Sequence, residues 1–171
     1  SFLDNISLKN VRAVDEDLAS YHTSPEYLKT IEHTHFQYRT AKSFKYIMYT
    51  FNSEWYKSLH KQICKLFPNK SMSSSGRFLY RGPDSFMGWH TNCMRPGYRI
   101  YLVWNDKDDA SYMKLHDRQT GKTITRYEKK GWTINYFDLI GPCHDYGIDA
   151  QNWHAIHSDS NRFSFAFRVW T

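Results

Sequence analysis

Eight short runs with strand composition fill the chain from residue 77 to residue 170, and no helical pattern separates any two of them. They cover residues 77–81, 87–91, 98–105, 111–116, 122–127, 132–139, 152–157 and 162–170, each bounded by turn-forming residues. Aromatic and β-branched side chains dominate them, as a half-buried pleated surface requires. A parallel sheet needs long crossovers, usually helical, and there is no room for them here. The spacing therefore predicts an antiparallel sandwich or jelly roll. Arg118-Gln119-Thr120-Gly121 reads as a hairpin turn between two of the runs.

The first third reads differently. Ser24 followed by Pro25 and Glu26 is a helix start, with a capping hydroxyl and then proline at the first helical position. That helix is expected to reach about His33. Residues 44–51 have strand composition but lie so close to the next helix that they read equally as its approach. This next helix is capped at Asn52 or Ser53, repeats Trp55, Leu59, Ile63 and Leu66 at helical spacing, and stops at Pro68. Residues 71–76, four serines among them, read as a loop joining the helical part to the β part. A mostly helical unit of that size makes a poor independent domain. The expectation is one domain over residues 1–171, with 1–75 as mostly helical support and 76–171 as the β core: mainly β (α+β).

Composition narrows the setting. The net charge of +6 admits anionic partners, but the basic residues are scattered. Their densest set, Lys57, Lys61, Lys65 and Lys70, reads as the solvated face of one helix. The cysteines, Cys64, Cys93 and Cys143, are odd in number and lack the C-x-x-C spacing of zinc sites. That pattern fits a reducing compartment, and no run approaches the ~20 apolar residues of a membrane span. No secretory leader is visible either, so the expectation is a cytoplasmic protein with no membrane partner.

Nine histidines are too many for all to be functional. His22, His33, His35 and His60 read as surface or helix-end histidines of the helical part, and His116 and His144, at a strand end and in a loop, have no partner at metal-ligand spacing. His90, in Gly88-Trp89-His90-Thr91-Asn92, ends a predicted strand. His154 and His157 lie far along the chain in Trp153-His154-Ala155-Ile156-His157. Iron(II) that activates oxygen takes two imidazoles and usually a carboxylate on one face, leaving the other positions open. Residues i and i+2 at a strand end point to the same side, and a third ligand must come from a distant strand. His90, Asn92 and His154 have that arrangement. Arg162 and Ser164, also i and i+2 on a strand, offer a cation and a hydroxyl for a carboxylate. His157 competes with His154, but only five residues separate it from Arg162, a short span for a strand and a turn.

Tyr80-Arg81-Gly82 followed by His90-Thr91-Asn92 resembles the Tyr-x-x-Gly…His-x-Asp opening of the prolyl-hydroxylase type of 2-oxoglutarate/Fe(II) dioxygenase. Arg99-Ile100-Tyr101-Leu102-Val103-Trp104-Asn105 resembles the strand that follows it there. The segment from Trp153-His154-Ala155 to Arg162-Phe163-Ser164 resembles the closing His…Arg-x-Ser. The resemblance covers residues 76–170 and implies a double-stranded β-helix with supporting N-terminal helices. It also implies Fe(II), 2-oxoglutarate and O₂ as cofactor and co-substrates. His90, Asn92 and His154 would hold the metal. Arg162 with Ser164 would bind the far carboxylate of 2-oxoglutarate, with a hydroxyl from Tyr80, Tyr98 or Tyr101. Trp89 and Trp104 stand as candidate pocket walls or core. The implied activity is a hydroxylase coupling decarboxylation of 2-oxoglutarate to succinate with C–H oxidation of a second substrate. A peptidyl side chain or a small metabolite is the expected second substrate, with nucleic acid also open.

The pattern departs from the family at Asn92, where an acid is expected. Four readings stand open: the amide oxygen itself serves as ligand, Asp84 or Asp138 completes the set, the metal is lost, or the position is vacated for chloride, which is disfavoured because Asn leaves no room. The loss reading gives the rival class, a non-catalytic jelly-roll module for nucleic acid or peptide. A two-histidine metalloenzyme without 2-oxoglutarate is a second rival.

Overall fold

The computed structural model describes residues 7–12, 19–31, 44–50, 54–92, 96–117, 120–139 and 152–170. In chain order its elements are β1 (Ser7–Arg12), α1 (Ala19–His22), α2 (Pro25–Ile31), β2 (Phe44–Thr50), α3 (Glu54–Lys65), β3 (Ser71–Arg81), β4 (Ser85–His90) and β5 (Gly97–Asn105). They continue with β6 (Ser111–Asp117), β7 (Lys122–Glu128), β8 (Gly131–Leu139), β9 (Trp153–Ser158) and β10 (Asn161–Trp170). The strands hydrogen-bond in the order β7-β6-β9-β4-β2-β3-β10-β5-β8, with β1 added to β2. Every pairing is antiparallel. From β3 to β10 the chain passes back and forth between a β3-β10-β5-β8 layer and a β7-β6-β9-β4 layer, with the β6–β7 hairpin staying within the second, which is the winding of a double-stranded β-helix. The fold is mainly β, a jelly roll, with β2 joining the two layers.

Alternation along β10 shows how the sequence builds both sides of a layer. Phe163, Phe165 and Phe167 pack with Leu79 and with Tyr56, Leu59 and Ile63 of α3. The intervening Arg162, Ser164 and Ala166 lie opposite Asn105, Val103 and Tyr101 of β5 and face the other layer. Between the layers Tyr80, Met87, Tyr101, Val103, Met113, Phe137 and Ile156 form the central core. Each such fully buried side chain contributes ~1.5–3 kcal/mol relative to exposure. The outer face of the second layer is covered by α1 and α2: Leu28 and Ile31 pack on Trp89, Trp153 and Ala155. The expected cap is in place, with Tyr27 N donating to Ser24 Oγ at 3.1 Å. Trp89 Nε1 also donates to Ser24 O at 2.8 Å, which pins α2 to β4.

Two expectations need correction. Residues 71–76 are not a loop: they open β3 and pair with the end of β10, from Ser71↔Trp170 onward. Serine is a poor strand former, but a ladder with a central strand overrides local preference. Nor is the first third essentially helical, because β1 and β2 pair with one another and β2 then bridges both layers. Leu66 lies past the end of α3 and is exposed rather than on its buried face. The cap at Asn52 or Ser53, the end of the second helix at His33, His35, Cys93, Cys143, His144, Arg118 and Gln119 lie outside the described residues. No helix among the described residues is long and apolar enough to cross a membrane.

Candidate metal centre

β4 ends and β9 begins side by side, with His90 directly opposite His154. The two rings stand 4.0 Å apart between centroids, and both side chains are buried. His90 Nδ1 lies 2.8 Å from Gly88 O, and His154 Nδ1 lies 3.2 Å from Asn152 O. A carbonyl only accepts, so each ring carries its proton on Nδ1 and leaves the Nε2 lone pair for a ligand. Backbone carbonyls that fix the tautomer in this way are the usual outer support of metal-binding imidazoles. Asn92 completes the group, its Nδ2 2.9 Å from His154 Nε2. Turning that amide over about its last torsion puts Oδ1 in the same place. Arg168 Nη2 donates to Asn92 O at 2.7 Å and holds the segment after β4 against the end of β10.

Both imidazoles are held neutral. Burial pushes the pKa of His90 down to about 4, against the bond to Gly88, with the charge of Arg99 adding to the fall. Burial, then the neighbouring His90 and Arg99, hold His154 well below the ordinary range. A neutral imidazole is the metal-binding form, so the donor set fits a divalent ion of the iron or zinc type. The same shifts predict how the metal-free protein responds to acid. Unfolded histidine takes up a proton below about pH 6.5 while folded His90 does not until about pH 4. Stability is therefore unaffected by His90 above pH 6.5 and falls as pH drops through that window, by ~3 kcal/mol from this group. Urea unfolding between pH 7 and pH 4 should show that slope, and His90→Leu should remove the share that His90 contributes while leaving that of His154.

Around the histidines, the ring of Phe137 is 4.6 Å from that of His154, and the ring of Tyr101 is 6.5 Å away. Arg99 lies inside, 5% exposed, and donates from Nε to Tyr101 Oη at 3.3 Å. Among the described residues no carboxylate pairs with it. A cleft of about 290 Å³ adjoins the site, lined among others by Leu115, His116, Phe137, Asp138, Asn152 and Trp153.

Arg162 reaches the inner face as its strand position implies, but one edge of its guanidinium is taken. Nε and Nη2 donate to the two oxygens of Glu128 at 2.7 Å and 2.8 Å, and both side chains are almost wholly buried. Asn105 Nδ2 and Asn135 Nδ2 donate to the same carboxylate at 3.2 Å and 2.7 Å. Burial works against the charge of Arg162, yet the carboxylate of Glu128 and its hydrogen bonds raise the pKa overall. The other edge is open: Nη1 of Arg162 and Oγ of Ser164 are both buried without a hydrogen-bond partner. Tyr80 is buried with its ring centroid 5.0 Å beneath the guanidinium. Tyr98 is exposed on the opposite face of β5 and takes no part, and Trp89 and Trp153 belong to the core under α2.

The structure thus brings together His90, Asn92 and His154, with Tyr101 alongside, and joins Arg162 to Glu128. His157 is three residues further along β9, stacked on Tyr112 and beside Asp84. Asp138 lines the cleft, where its carbonyl accepts from Asn152 Nδ2 at 2.6 Å. Sequence reasoning missed Arg99 and Glu128. Arg99 was within reach, because it shares the face of Tyr101 and Val103 at i+2 and i+4. Glu128 closes a strand whose other residues are exposed, so nothing local marks it as buried.

A jelly roll with a two-histidine cluster on its inner face is the class that fold and site define. No family model matches the chain, and no curated protein matches it. Among solved structures, Drosophila melanogaster CENP-C bound to CAL1 is similar over 90% of this chain and 97% of that one, at 8% identity and a TM-score of 0.40. A recombinant oxalate oxidase in complex with glycolate is similar over 61% of this chain and 52% of that one, at 10% identity and a TM-score of 0.38. A family 29 carbohydrate binding module covers 59% of this chain and 78% of its own, at 8% identity and a TM-score of 0.31. One of these is an enzyme and one a binding module. What each of them binds remains its own property.

Proposed function

We propose that the chain is a non-haem iron(II) oxygenase with 2-oxoglutarate as co-substrate, the metal held by His90, His154 and the amide oxygen of Asn92. The observation that carries this reading is the pair of neutral imidazoles anchored through Nδ1, set beside a buried arginine that has no acid partner among the described residues. When bound, iron(II) supplies the oxygen chemistry that couples decarboxylation of 2-oxoglutarate to succinate with C–H oxidation of a second substrate. The chain's own residues bind and orient. Arg99 is a buried cation and attracts a carboxylate strongly at low dielectric. Tyr101 fixes its direction, and Phe137 walls the site against water. Arg162 and Ser164 keep two unused donors for an anion that shares the guanidinium with Glu128.

Charge supports the same reading. The acid absent at Asn92 is matched by an acid present beside Arg162, so the sum over the inner face equals that of a site with Asp at 92 and a free Arg at 162. Arg99 then adds one positive charge, which favours a dianionic co-substrate. A peptidyl side chain or small metabolite entering through the cleft is the proposed second substrate. A reducing, cytoplasmic setting suits ferrous iron.

A second reading, a binding module that keeps the roll without the metal, is favoured by two contacts. As placed, Asn92 Nδ2 donates to the lone pair that a metal needs, and Glu128 already neutralises Arg162. Anaerobic titration with Fe(II) and 2-oxoglutarate separates the two. The expected result is the weak visible charge-transfer band of the chelate. In Arg99→Leu the half-saturating 2-oxoglutarate concentration should rise more than about tenfold, or 1.4 kcal/mol, with iron affinity unchanged. No band and no retained iron in the wild-type chain would overturn the oxygenase reading.

A further inference from the structure

Three potential donor groups converge at the other end of β9, on the face turned away from the histidine pair. His157 Nε2 stands 3.5 Å from Asp84 Oδ1 and 3.8 Å from Asp159 Oδ1. One donor atom from each of the three residues lies within 4.8 Å of the others. Asp84 is in the turn between β3 and β4, and Asp159 is in the turn between β9 and β10. The turns are already in contact: Gly82 N donates to Ser160 O at 3.1 Å, and Asp84 N to Asp159 Oδ1 at 3.1 Å.

The imidazole is the unusual member. His157 is only 8% exposed, stacked on Tyr112 at 5.1 Å, and its Nδ1 is buried without a hydrogen-bond partner. Its Nε2 is aimed between the two carboxylates at distances too long for a good hydrogen bond. Nδ1 faces no acceptor, so the ring's polar contacts run through Nε2 alone, which stands between the two carboxylates. The spacing suits an ion. Two ligand atoms about 2.1 Å from a tetrahedral ion stand about 3.4 Å apart, close to the His157–Asp84 separation.

We propose that Asp84, His157 and Asp159 form a second divalent-cation site, for an ion of the zinc class, separate from the His90/His154 centre. One imidazole nitrogen and two carboxylate oxygens suit such an ion and leave a position open to solvent. The bound ion relieves the repulsion between two adjacent carboxylates and fastens the β3–β4 turn to the β9–β10 turn. The site uses none of the residues of the histidine pair, so it stands whether or not that centre is loaded.

Equilibrium dialysis of the whole chain against Zn²⁺, with the metal counted, tests this. Asp84→Asn and Asp159→Asn are the informative variants. Asn tolerates the φ of +55° at position 84 and keeps the Oδ1 acceptor at position 159, so both should fold. Each variant should bind one equivalent fewer than the wild type, or bind that equivalent more than about tenfold more weakly. Each should also lose a Zn²⁺-dependent rise in Tm that the wild type shows. Equal stoichiometry and affinity in wild type and both variants would overturn the proposal. The test counts a difference, so occupancy of the other centre shifts both totals equally and leaves the result readable.

Discussion

Glu128→Ala should destabilise the fold by ~3–5 kcal/mol, a large part of the ~5–15 kcal/mol that holds a domain together. The carboxylate sits between the layers at 2% exposure and accepts from Arg162 twice, from Asn105 and from Asn135. Removing it strands a wholly buried guanidinium and two amides, and water cannot reach them to compensate. The loss extends along the network, because Ser111 Oγ donates to Asn105 Oδ1 at 2.8 Å and contacts Ser158 and Ser160. Replacing both partners at once, as Glu128→Leu with Arg162→Met, should recover most of that loss, since apolar substitutes of similar volume often match a buried pair. Urea denaturation of the two single variants and the double variant closes the cycle. A single-variant cost below ~1 kcal/mol, the value of a solvated pair, would mean that the network is not closed as described.

This pair also decides how Arg162 can be studied. Arg162→Leu leaves the carboxylate of Glu128 buried and unpaired, so the chain loses stability whatever the arginine does for a ligand. Lost activity in that variant cannot separate co-substrate binding from folding. Arg99 has no such entanglement, since among the described residues its hydrogen bond is the one to Tyr101 Oη. For that reason it carries the co-substrate test.

What could be read in the sequence depended on period and spacing. The strands of the roll were legible as aromatic and β-branched runs punctuated by turns, with apolar residues recurring at every second position along β10. The i, i+2 relation put His90 with Asn92, and Arg162 with Ser164, on shared faces. The meeting of His90 and His154 also followed, since a jelly roll brings its second and seventh strands together. The role of residues 71–76 did not follow. Their strand character comes from β10, nearly a hundred positions away, and four serines carry no local trace of it. Glu128 escaped for a related reason. An acid at the end of an exposed strand is ordinarily solvated, and only its place opposite Ser111, facing Arg162, Asn105 and Asn135 of the other layer, buries it. Long-range pairing decided both, and spacing along one segment does not encode it.

His90→Ala and His154→Ala should each abolish retained iron, with affinity lowered by more than about 100-fold, and should remove the 2-oxoglutarate band with it. The argument is one of ligand count. With a neutral amide at position 92 the site has no anionic ligand, so the two imidazoles supply nearly all of the affinity. Losing either leaves one nitrogen and one amide oxygen, too few to compete with water. The complementary variant is Asn92→Asp. It places a carboxylate where Asn92 Nδ2 now meets His154 Nε2 at 2.9 Å, removing a donor that competes for the lone pair and adding charge attraction to the ion. Iron affinity should rise by about tenfold or more, equivalent to 1.4 kcal/mol. Circular dichroism confirms folding, and anaerobic dialysis against Fe(II) gives the affinities. Loss in both alanine variants with gain in Asn92→Asp is the pattern that only a metal centre at this position produces. If Asn92→Asp binds no iron either, the two imidazoles serve packing, and the binding-module reading replaces the oxygenase.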